Sequence, residues 1–407
     1  MSEWKEYRLG DILTIRSGFS YKGKFFGRGD SLLLGMGCVS YSDRFIMSGA
    51  RPYSGPFDKR YKVYPGDIVL ATRQQSDNLP ILAMPAMVPK TLEGKDLVIG
   101  TNLYKVEITD KSFSNEYIYW MMKTKRYVNY IKGVKTGTTV SMVTKKNVED
   151  FTFFAPTDPR ERESLVSIIS SLDSKIENNR KICANLEAQA QALFKHWFID
   201  FAPFKDGKFV ESELGMIPEG WRVGRLTEIA DYMNGLAMQK FPPLSEEDAI
   251  PVLKIKELGQ SQIDNNSDKC SKHIKQEYII KDGDVVFSWS GTLLVDIWCG
   301  GICGLNQHLF KVTSKEYPKW FYLLWTKYHL AEFIRIAKDK AVTMGHIKRG
   351  DLEKALVAIP DKYTFDKISG MNDDILSQII NIRLESSRLS SLRDTLLPKL
   401  MSGEIKV

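Results

Sequence analysis

Apolar residues recur at heptad spacing in a long stretch that follows Pro156-Thr-Asp-Pro159. From Arg160 they step by alternating fours and threes, and Asn179 is the single polar member of the series. A sustained heptad seam predicts a helix that packs along a partner helix. The expected helix runs from Arg160 to Ile199, about 60 Å at 1.5 Å per residue. The seam positions are Leu165, Ile169, Leu172, Ile176, Asn179, Cys183, Leu186, Ala190, Leu193 and Trp197.

A second long helix is predicted after Pro360, with Pro398 and Gly403 ending it. A helix with one apolar stripe is poorly stable alone, so we expect the two helices to pack as an antiparallel coiled coil. An alternative, in which each helix packs on its own globular domain, stays open. The second stripe comprises Ile368, Ile375, Ile379, Ile382, Leu389, Leu392 and Leu396, with Ser386 as its polar interruption.

A mixed pattern of short strands and helices precedes each long helix, and the two patterns match. Trp4, Leu9, Ile12 and Gly18 recur as Trp221, Leu226, Ile229 and Gly235, and a Gly-Asp turn before an apolar strand occurs at 64–69 and 281–286. The segments 139–143 and 343–347 align at an offset of 204. The chain therefore contains one unit twice. The expected boundaries are 1–156 for the first domain, 157–200 for the central helix, 201–360 for the second domain and 361–407 for the C-terminal helix.

Composition favours a folded protein of two or three domains. The 407 residues are 43% hydrophobic and 11% aromatic, and the formal net charge is +7. That charge alone makes nucleic-acid binding plausible and no more. Its distribution is more informative, because seven cationic residues fall within 24 positions: Lys123, Lys125, Arg126, Lys132, Lys135, Lys145 and Lys146.

Five cysteines lie at spacings that differ between the halves. Cys299 and Cys303 with His308 suggest zinc, but a second pair of ligands is not recognisable. Neither a signal peptide nor an apolar run of about 18 residues is apparent. We therefore expect reduced thiols, a cytoplasmic location, no metal and no membrane contact.

Three stretches resemble the specificity (S) subunit of type I restriction-modification systems. They are residues 186–201, residues 215–221 with Leu226, and residues 396–405. The resemblance implies an α+β fold in which two similar mixed α/β target recognition domains are separated by the two long helices. Each domain would read one half of a split double-stranded DNA target, and the helices would set the unread spacer.

The same resemblance implies partners and cofactors. Two modification subunits would transfer methyl groups from S-adenosylmethionine to adenine, and motor-nuclease restriction subunits would join them. This chain would then have no catalytic centre and no cofactor of its own, with S-adenosylmethionine, ATP and Mg²⁺ held by the partner subunits. The outer and seam faces near 186–201 and 396–405 are the expected surface for the modification subunits.

Loops after the Gly-Asp strand and before the last short helix of each domain are the candidate DNA contacts. Arginine suits guanine, and glutamine or asparagine suits adenine; hydroxyls and lysines at a helix start suit phosphate. Solvated loops and helix caps are the structural alternatives. Helices are expected to start near Val143 and Ile347, and Asn102 is expected to match Asn306. The candidates are Arg73, Gln74, Gln75, Asn78, Lys135, Thr136, Thr138, Thr139, Lys145 and Lys146 in the first domain, and Ser288, Ser290, Thr292, Asn306, Gln307, Lys338, Lys340, Thr343, Lys348 and Arg349 in the second.

Two other functions fit parts of the sequence. Asp67 with Glu93 and Lys95 resembles the Mg²⁺-binding core of a nuclease, although Asp284 has no matching Glu-x-Lys. A methyltransferase would need an Asn/Asp-Pro-Pro-aromatic motif, and the Pro-Pro at 242–243 lacks both the amide and the aromatic residue. A coiled-coil adaptor that binds only proteins would explain the heptads but not the basic loops.

Overall fold

The computed structural model describes residues 3–75, 81–137, 139–263, 266–339 and 345–407. Close packing groups the chain into two units. The first is Met1–Ser174 with Ser390–Val407, and the second is Lys175–Leu389. Each unit therefore combines one mixed α/β domain with part of both long helices.

The first domain is built on a four-stranded antiparallel sheet in the order β2-β10-β6-β8. A second sheet, β4-β3-β9-β5, contains the parallel pair β3–β9, and β1 pairs with β12 to bring the two ends of the domain together. The strands are β1 (Trp4–Arg8), β2 (Leu13–Ser17), β3 (Phe26–Leu34), β4 (Ala50–Tyr53), β5 (Lys62–Val63), β6 (Ile68–Ala71), β7 (Arg73–Gln74), β8 (Pro85–Met87), β9 (Leu97–Ile99), β10 (Leu103–Ile108), β11 (Ser141–Met142) and β12 (Thr152–Pro156). The helices are α1 (Leu9–Ile12), α2 (Asn115–Met122), α3 (Lys125–Val134), α4 (Lys145–Glu149) and α5 (Pro159–Phe194).

The second domain repeats this topology. Its sheets run β16-β23-β20-β21 and β18-β17-β22-β19, the pair β17–β22 is again parallel, and β15 pairs with β24. One hairpin, β13–β14, precedes the repeated part. The strands are β13 (Phe209–Ser212), β14 (Gly215–Pro218), β15 (Arg222–Arg225), β16 (Asp231–Asn234), β17 (Ala249–Leu253), β18 (Lys269–Ser271), β19 (Ile279–Ile280), β20 (Val285–Ser288), β21 (Leu294–Ile297), β22 (Cys303–Leu305), β23 (Leu309–Thr313) and β24 (Leu356–Ile359). The helices are α6 (Leu226–Ile229), α7 (Ile255–Gln260), α8 (Lys319–Asp339), α9 (Arg349–Glu353) and α10 (Lys362–Met401). The predicted duplication is confirmed.

Aromatic helices fill both domain cores. Trp120 in α2 and Trp320 and Trp325 in α8 are almost fully buried. The indole N–H of Trp120 donates to Ser170 Oγ of α5 at 2.9 Å, and that of Trp320 donates to Ser369 Oγ of α10 at 3.1 Å. In each unit a partly buried hydrogen bond thus connects an aromatic helix to the long helix that follows it.

Both long helices form, but their ends differ in part from the prediction. Pro159 is the first residue of α5, a position where proline loses no helical hydrogen bond. The helix is α-helical to Phe194 and continues as one π-helical turn, Lys195–Ile199. The prediction that Pro398 ends α10 is wrong, because the helix runs through it to Met401. Proline in the last turn removes only one backbone hydrogen bond. Gly403, with φ of +77°, follows the end as expected.

The two helices pair antiparallel. In the second unit Asn179 Nδ2 donates to Ser386 Oγ at 3.2 Å and to Glu385 Oε2 at 2.7 Å, and Cys183 Sγ contacts Ile379 O at 3.9 Å. The two predicted polar interruptions therefore meet each other.

One predicted seam position is wrong. Leu392 is 46% exposed. In the first unit its neighbour Arg393 points inward instead and pairs with Asp173 of α5 at 2.8 Å. The steps of four and three that join Ile382, Ser386 and Leu389 continue to Arg393, so Leu392 was assigned one residue away from the true seam position.

Candidate nucleic-acid interface

Three segments that are far apart in sequence meet at one end of the central sheet of the first domain. The backbone N–H of Thr72, just after β6, donates to Asn102 O at 3.0 Å, and that of Val143 donates to Thr72 O at 3.3 Å. In the β7–β11 pair, Arg73 lies opposite Met142. The loop after β6, the residue before β10 and the segment before α4 thus form one surface.

The second domain builds the same surface with different side chains. The backbone N–H of Trp289 donates to His308 O at 3.4 Å, and that of Ile347 donates to Trp289 O at 3.0 Å. Ser290 lies opposite His346 in an antiparallel bridge. The equivalent pairs of positions are Thr72 and Trp289, Arg73 and Ser290, Asn102 and His308, and Met142 and His346.

The expected match between Asn102 and Asn306 is therefore wrong. The strands β10 and β23 begin at Leu103 and Leu309, which lie 206 positions apart. The equivalent of Asn306 is Gly100, since Leu103 N–H donates to Gly100 O and Leu309 N–H donates to Asn306 O. From this strand to the segment before the short helix the second domain is two residues shorter, so the offset falls from 206 at Leu103 and Leu309 to 204 at Val143 and Ile347.

A glycine supports this surface in each domain. A Cβ on Gly18 would lie 2.1 Å from Gly100 O, and a Cβ on Gly235 would lie 2.2 Å from Asn306 O. Real Cβ atoms do not approach a carbonyl oxygen so closely. The backbone therefore needs glycine at both positions to place the segments before β10 and β23.

The Gly-Asp turns are structural in both domains. Asp67 Oδ2 accepts the Tyr64 backbone N–H at 2.9 Å and pairs with Lys105 Nζ at 3.3 Å. Asp284 Oδ2 accepts the Lys281 backbone N–H at 2.9 Å and pairs with Lys311 at 2.8 Å. A carboxylate engaged twice in the same way in both copies explains the motif without a nuclease centre.

The described ranges contain neither a metal site nor a membrane-spanning helix. No group of three His, Cys, Asp or Glu side chains there could hold a metal ion. Cys299 and Cys303 are buried free thiols, and His308 Nδ1 lies 3.0 Å from Ser290 Oγ. None of the helices in the described part of the chain has the length and apolar character that crossing a membrane requires.

The candidate DNA contacts fall into groups of different exposure. Some are solvent-exposed: Arg73, Gln75, Thr136, Thr139 and Lys146 in the first domain, and Thr292, Lys338, Lys348 and Arg349 in the second. Lys135, Lys145 and Gln307 are half-buried. Asn78, Thr138, Lys340 and Thr343 lie outside the described residues. Five of the cationic candidates, Arg73, Lys146, Lys338, Lys348 and Arg349, are therefore exposed to solvent.

Four polar candidates point inward and shape the loops. Gln74 Oε1 accepts the Leu82 backbone N–H at 3.1 Å, and Ser288 Oγ donates to Ser290 O at 3.1 Å. Asn306 Oδ1 accepts the His308 backbone N–H at 3.2 Å, and Ser290 is 3% exposed. Their side chains fix the backbone that presents Arg73, Trp289 and His308.

The short helices begin two residues later than expected. Thr144 caps α4, accepting the Asn147 backbone N–H at 3.1 Å, and Lys348 precedes α9, where its own N–H donates to Asp351 Oδ2 at 2.8 Å. The predicted hydroxyls of 136–139 are therefore not the cap. Lys145 and Lys146 occupy the first turn of α4, and Arg349 is the first residue of α9.

A cavity of about 370 Å³ opens beside the surface of the first domain. Its lining contains four apolar side chains, one amide and two lysines: Gln74, Leu82, Met84, Val128, Ile131, Lys132 and Lys135. This part of the surface is concave and cationic.

Trp289, His308 and His346 form a cluster; the sequence placed Trp289 and His308 in separate candidate loops and did not group either with His346. The Trp289 ring centroid lies 6.1 Å from that of His308 and 6.3 Å from that of His346. Within the described part of the chain, Trp289 Nε1 and Gln307 Oε1 are buried without a hydrogen-bond partner. Such atoms cost about 1–3 kcal/mol each. The sequence signals were the position of Trp289 directly after an apolar strand and that of His308 directly before one.

The comparisons with known proteins agree on one family. The model of the type I restriction modification DNA specificity domain matches residues 1–188 and again residues 218–393. The MjaIX specificity subunit of Methanocaldococcus jannaschii is 30% identical over 305 residues, which cover 72% of this chain and 69% of that protein. The HindI specificity subunit of Haemophilus influenzae is 22% identical over 482 residues, spanning both chains completely.

A solved structure shares the fold. The S subunit of a type I restriction-modification system from M. genitalium superposes with a TM-score of 0.55 over 98% of this chain and 96% of that one, at 13% identity. The likeness extends over both domains and both long helices.

Proposed function

Since this chain belongs to the family of type I restriction-modification specificity subunits, we propose that it selects the DNA sequence on which its complex acts. Each domain reads one half of a bipartite double-stranded target. The observation that carries the proposal is the repeated surface: the same three segments meet at the same sheet end in both domains, with exposed cations beside them.

Charge and shape support DNA as the ligand of these surfaces. Arg73, Lys146, Lys348 and Arg349 are exposed at or next to the three-segment surface. Cations of this kind supply most of the affinity for the phosphate backbone, and affinity then falls steeply as salt rises. Arginine also pairs with guanine through two hydrogen bonds, which gives Arg73 a direct part in reading the first half-site.

The helices have a separate task in this proposal. Residues 157–200 and 361–407 set the spacer between the half-sites and bind two modification subunits through faces near 186–201 and 396–405, while restriction subunits join the same complex. The domains are 1–156 and 201–360. Catalysis and the cofactors S-adenosylmethionine, ATP and Mg²⁺ belong to the partners, and this chain supplies no catalytic group.

Mapping of methylated adenines in cells with and without the chain tests the proposal. We expect one bipartite motif to lose methylation when the chain is absent. Arg73→Ala should relax only one half of the motif, and Lys348→Ala with Arg349→Ala should weaken recognition through the other domain. Lys208→Ala, an exposed lysine before β13, is the matched control and should change nothing.

Two outcomes would reject the proposal. One is a methylation map that does not depend on the chain. The other is turnover of DNA by the purified chain alone with Mg²⁺ and labelled S-adenosylmethionine, which would show an enzyme rather than a recognition subunit.

A further inference from the structure

The helix α3 of the first domain presents a cationic face beside the three-segment surface. Residues 125–135 contain three lysines, one arginine and no carboxylate. We propose that the face formed by Lys125, Asn129 and Lys132, the α3 face, binds the phosphate backbone of DNA next to the first half-site. The inference rests on the proposed function and assigns a phosphate contact to one of its two surfaces.

Helix geometry places the three side chains together. At about 3.6 residues per turn they fall within an arc of about 60°, and the two lysines are about 10 Å apart along the helix axis. All three side chains are exposed, whereas Tyr127 and Ile131 are buried on the opposite side of the helix. Successive phosphates of one DNA strand are spaced by about 3.4 Å along the duplex axis. The α3 face therefore extends along about three phosphates.

The chain leads directly from α3 into the recognition surface. Two residues after the helix, the Thr136 backbone N–H donates to Met142 O at 2.9 Å, and the Met142 N–H donates to Thr136 O at 2.8 Å. Lys132 and Gln74 border the same cavity, and Gln74 follows Arg73 in β7. The α3 face is therefore continuous with the place where Arg73 is proposed to read bases.

No carboxylate of the described residues neutralises the two lysines of the α3 face. The carboxylates of α4, which packs against α3, are engaged elsewhere, since Glu149 accepts a backbone N–H of β2 at 3.2 Å and Asp150 pairs with Arg8. The remaining cation near the start of α3, Arg126, points away from the α3 face, and its guanidinium lies 5.9 Å from the centre of the Phe151 ring. The α3 face therefore offers two exposed cations to an external anion.

The second domain shows how the charges of a solvated helix are arranged in this fold. The counterpart of α3 is the second half of α8, residues 327–339, which contains three lysine or arginine residues and two carboxylates. Arg335 pairs with Glu332 at 2.6 Å and with Asp339 at 3.6 Å. Such pairs within one helix are typical of a face that meets only water. Because residues 125–135 contain no carboxylate, the α3 face favours a polyanion as its partner.

The test measures how DNA affinity depends on salt, using the chain assembled with its modification subunits and its mapped target duplex. Each phosphate contact that is lost lowers the slope of log Kd against log salt concentration by about 0.9. Between about 50 and about 200 mM salt, wild type should lose roughly tenfold more affinity than a variant with Lys125→Gln and Lys132→Gln. The methylated motif should keep its bases, because phosphate contacts carry no direct sequence information.

Two further variants separate a phosphate contact from a general effect of charge or of folding. Lys205→Gln with Lys208→Gln removes the same charge from two exposed lysines that precede β13, and its salt slope should equal that of wild type. Asn129→Lys adds a cation to the α3 face and should steepen the slope by about 0.9. Since lysine favours a helix more than asparagine does, this gain-of-function variant should fold.

Three results would contradict these proposals. Equal salt slopes in wild type, in the variant that lacks both lysines of the α3 face and in Asn129→Lys would overturn the inference while leaving the proposed function intact. An equal loss of slope in the control variant at Lys205 and Lys208 would also overturn the inference, because net charge alone would then explain the effect. A complex without sequence preference at any salt concentration would instead reject the proposed function.

Discussion

Trp320 and Trp325 lie in the same helix and differ in one hydrogen bond. Trp320 Nε1 donates to Ser369 Oγ, whereas Trp325 Nε1 is buried with no partner among the described residues. A double-mutant cycle of Trp320→Phe with Ser369→Ala should give a coupling energy of about 1 kcal/mol, the usual net value of such a bond. Unfolding free energies from denaturant titration measure it. The control cycle combines Trp325→Phe with Ser369→Ala and loses a similar apolar area. A coupling energy of equal size in this control would contradict the assignment of the coupling to the hydrogen bond.

Burial raises the pKa values of the cysteine thiols. It raises the pKa of Cys303 to about 12 and those of Cys38, Cys270 and Cys299 to about 11, and it also raises the pKa of Cys183. Because an unfolded thiol titrates near pH 8.5, these groups favour the folded state fully below that value. The contribution is lost progressively as pH rises toward their folded pKa values.

The chemical consequence is slow reaction of the native chain with thiol reagents. Only the thiolate reacts, so at about pH 8 we expect negligible modification of the folded chain and rapid modification of all five cysteines after denaturation. Titration with a chromogenic disulfide checks this. Fast labelling of one or more native cysteines would show that its site opens in solution.

At the residue scale the sequence predicted apolar positions better than polar ones. The buried tryptophans and the meeting of Asn179 with Ser386 follow from periodicity, because a helix fixes which side chains share a face. Gln74 and Ser290 were offered as DNA contacts, yet their side chains are buried. A loop has no period that assigns a polar side chain to solvent or to the core, so only tertiary contacts decide.

At the element scale, alanine substitution of two glycines should change stability in opposite directions, because one glycine has free space around it and the other does not. In α3, Gly133 has no atom within 4 Å of an added Cβ, so Gly133→Ala should stabilise the fold by about 0.5–1 kcal/mol through helix propensity. Gly18→Ala should destabilise it by about 2 kcal/mol or more, because its Cβ would overlap Gly100 O. Thermal melting measures both changes.

The same substitutions should also change DNA recognition, because each glycine supports the loop before β10 or β23. Displacing Gly100 moves Asn102 and the surface beside it, so Gly18→Ala should impair recognition of the first half-site and spare the second. Gly235→Ala should do the reverse. If either variant lowered the melting temperature but left DNA recognition unchanged, its glycine would support the stability of the fold and not the recognition surface.

Element boundaries were the least predictable part of the fold. Pro398 was expected to end α10, but helix packing overrides the loss of one hydrogen bond in a final turn. The helix that fills the core of the first domain is interrupted by Lys123 and Thr124, with Thr124 capping α3, while its counterpart α8 is continuous. Local capping chemistry in one copy and its absence in the other made the difference.

At the scale of the whole chain, the duplication was readable from sequence and the site was not. Matching turns and glycines lie at nearly constant offsets, so the repeat shows without coordinates. The recognition surface joins residues 72–73, 102 and 142–143, which are brought together only by sheet order and register. The offset is 206 at β10 and β23 and 204 at residues 143 and 347, and this difference hid the equivalence of Asn102 and His308.

The paired helices allow the proposed spacer function to be tested. The test variant carries two insertions of seven residues, one between Asn179 and Cys183 of α5 and one between Ile379 and Ser386 of α10. Both seams stay in phase, because seven residues complete two turns of a heptad pattern. Each helix grows by about 10 Å, close to three base pairs at about 3.4 Å. We expect a methylated motif with both half-sites unchanged and a spacer longer by up to about three base pairs.

Insertion of seven residues into α5 alone is the control. It leaves α10 without matching partners over two turns, so the variant should lose assembly with the modification subunits rather than acquire a new spacer. Co-purification and adenine methylation maps distinguish these results. Half-sites that change while the spacer stays constant would mean that the helices take part in reading bases, and that the distance between half-sites is set by the recognition domains themselves.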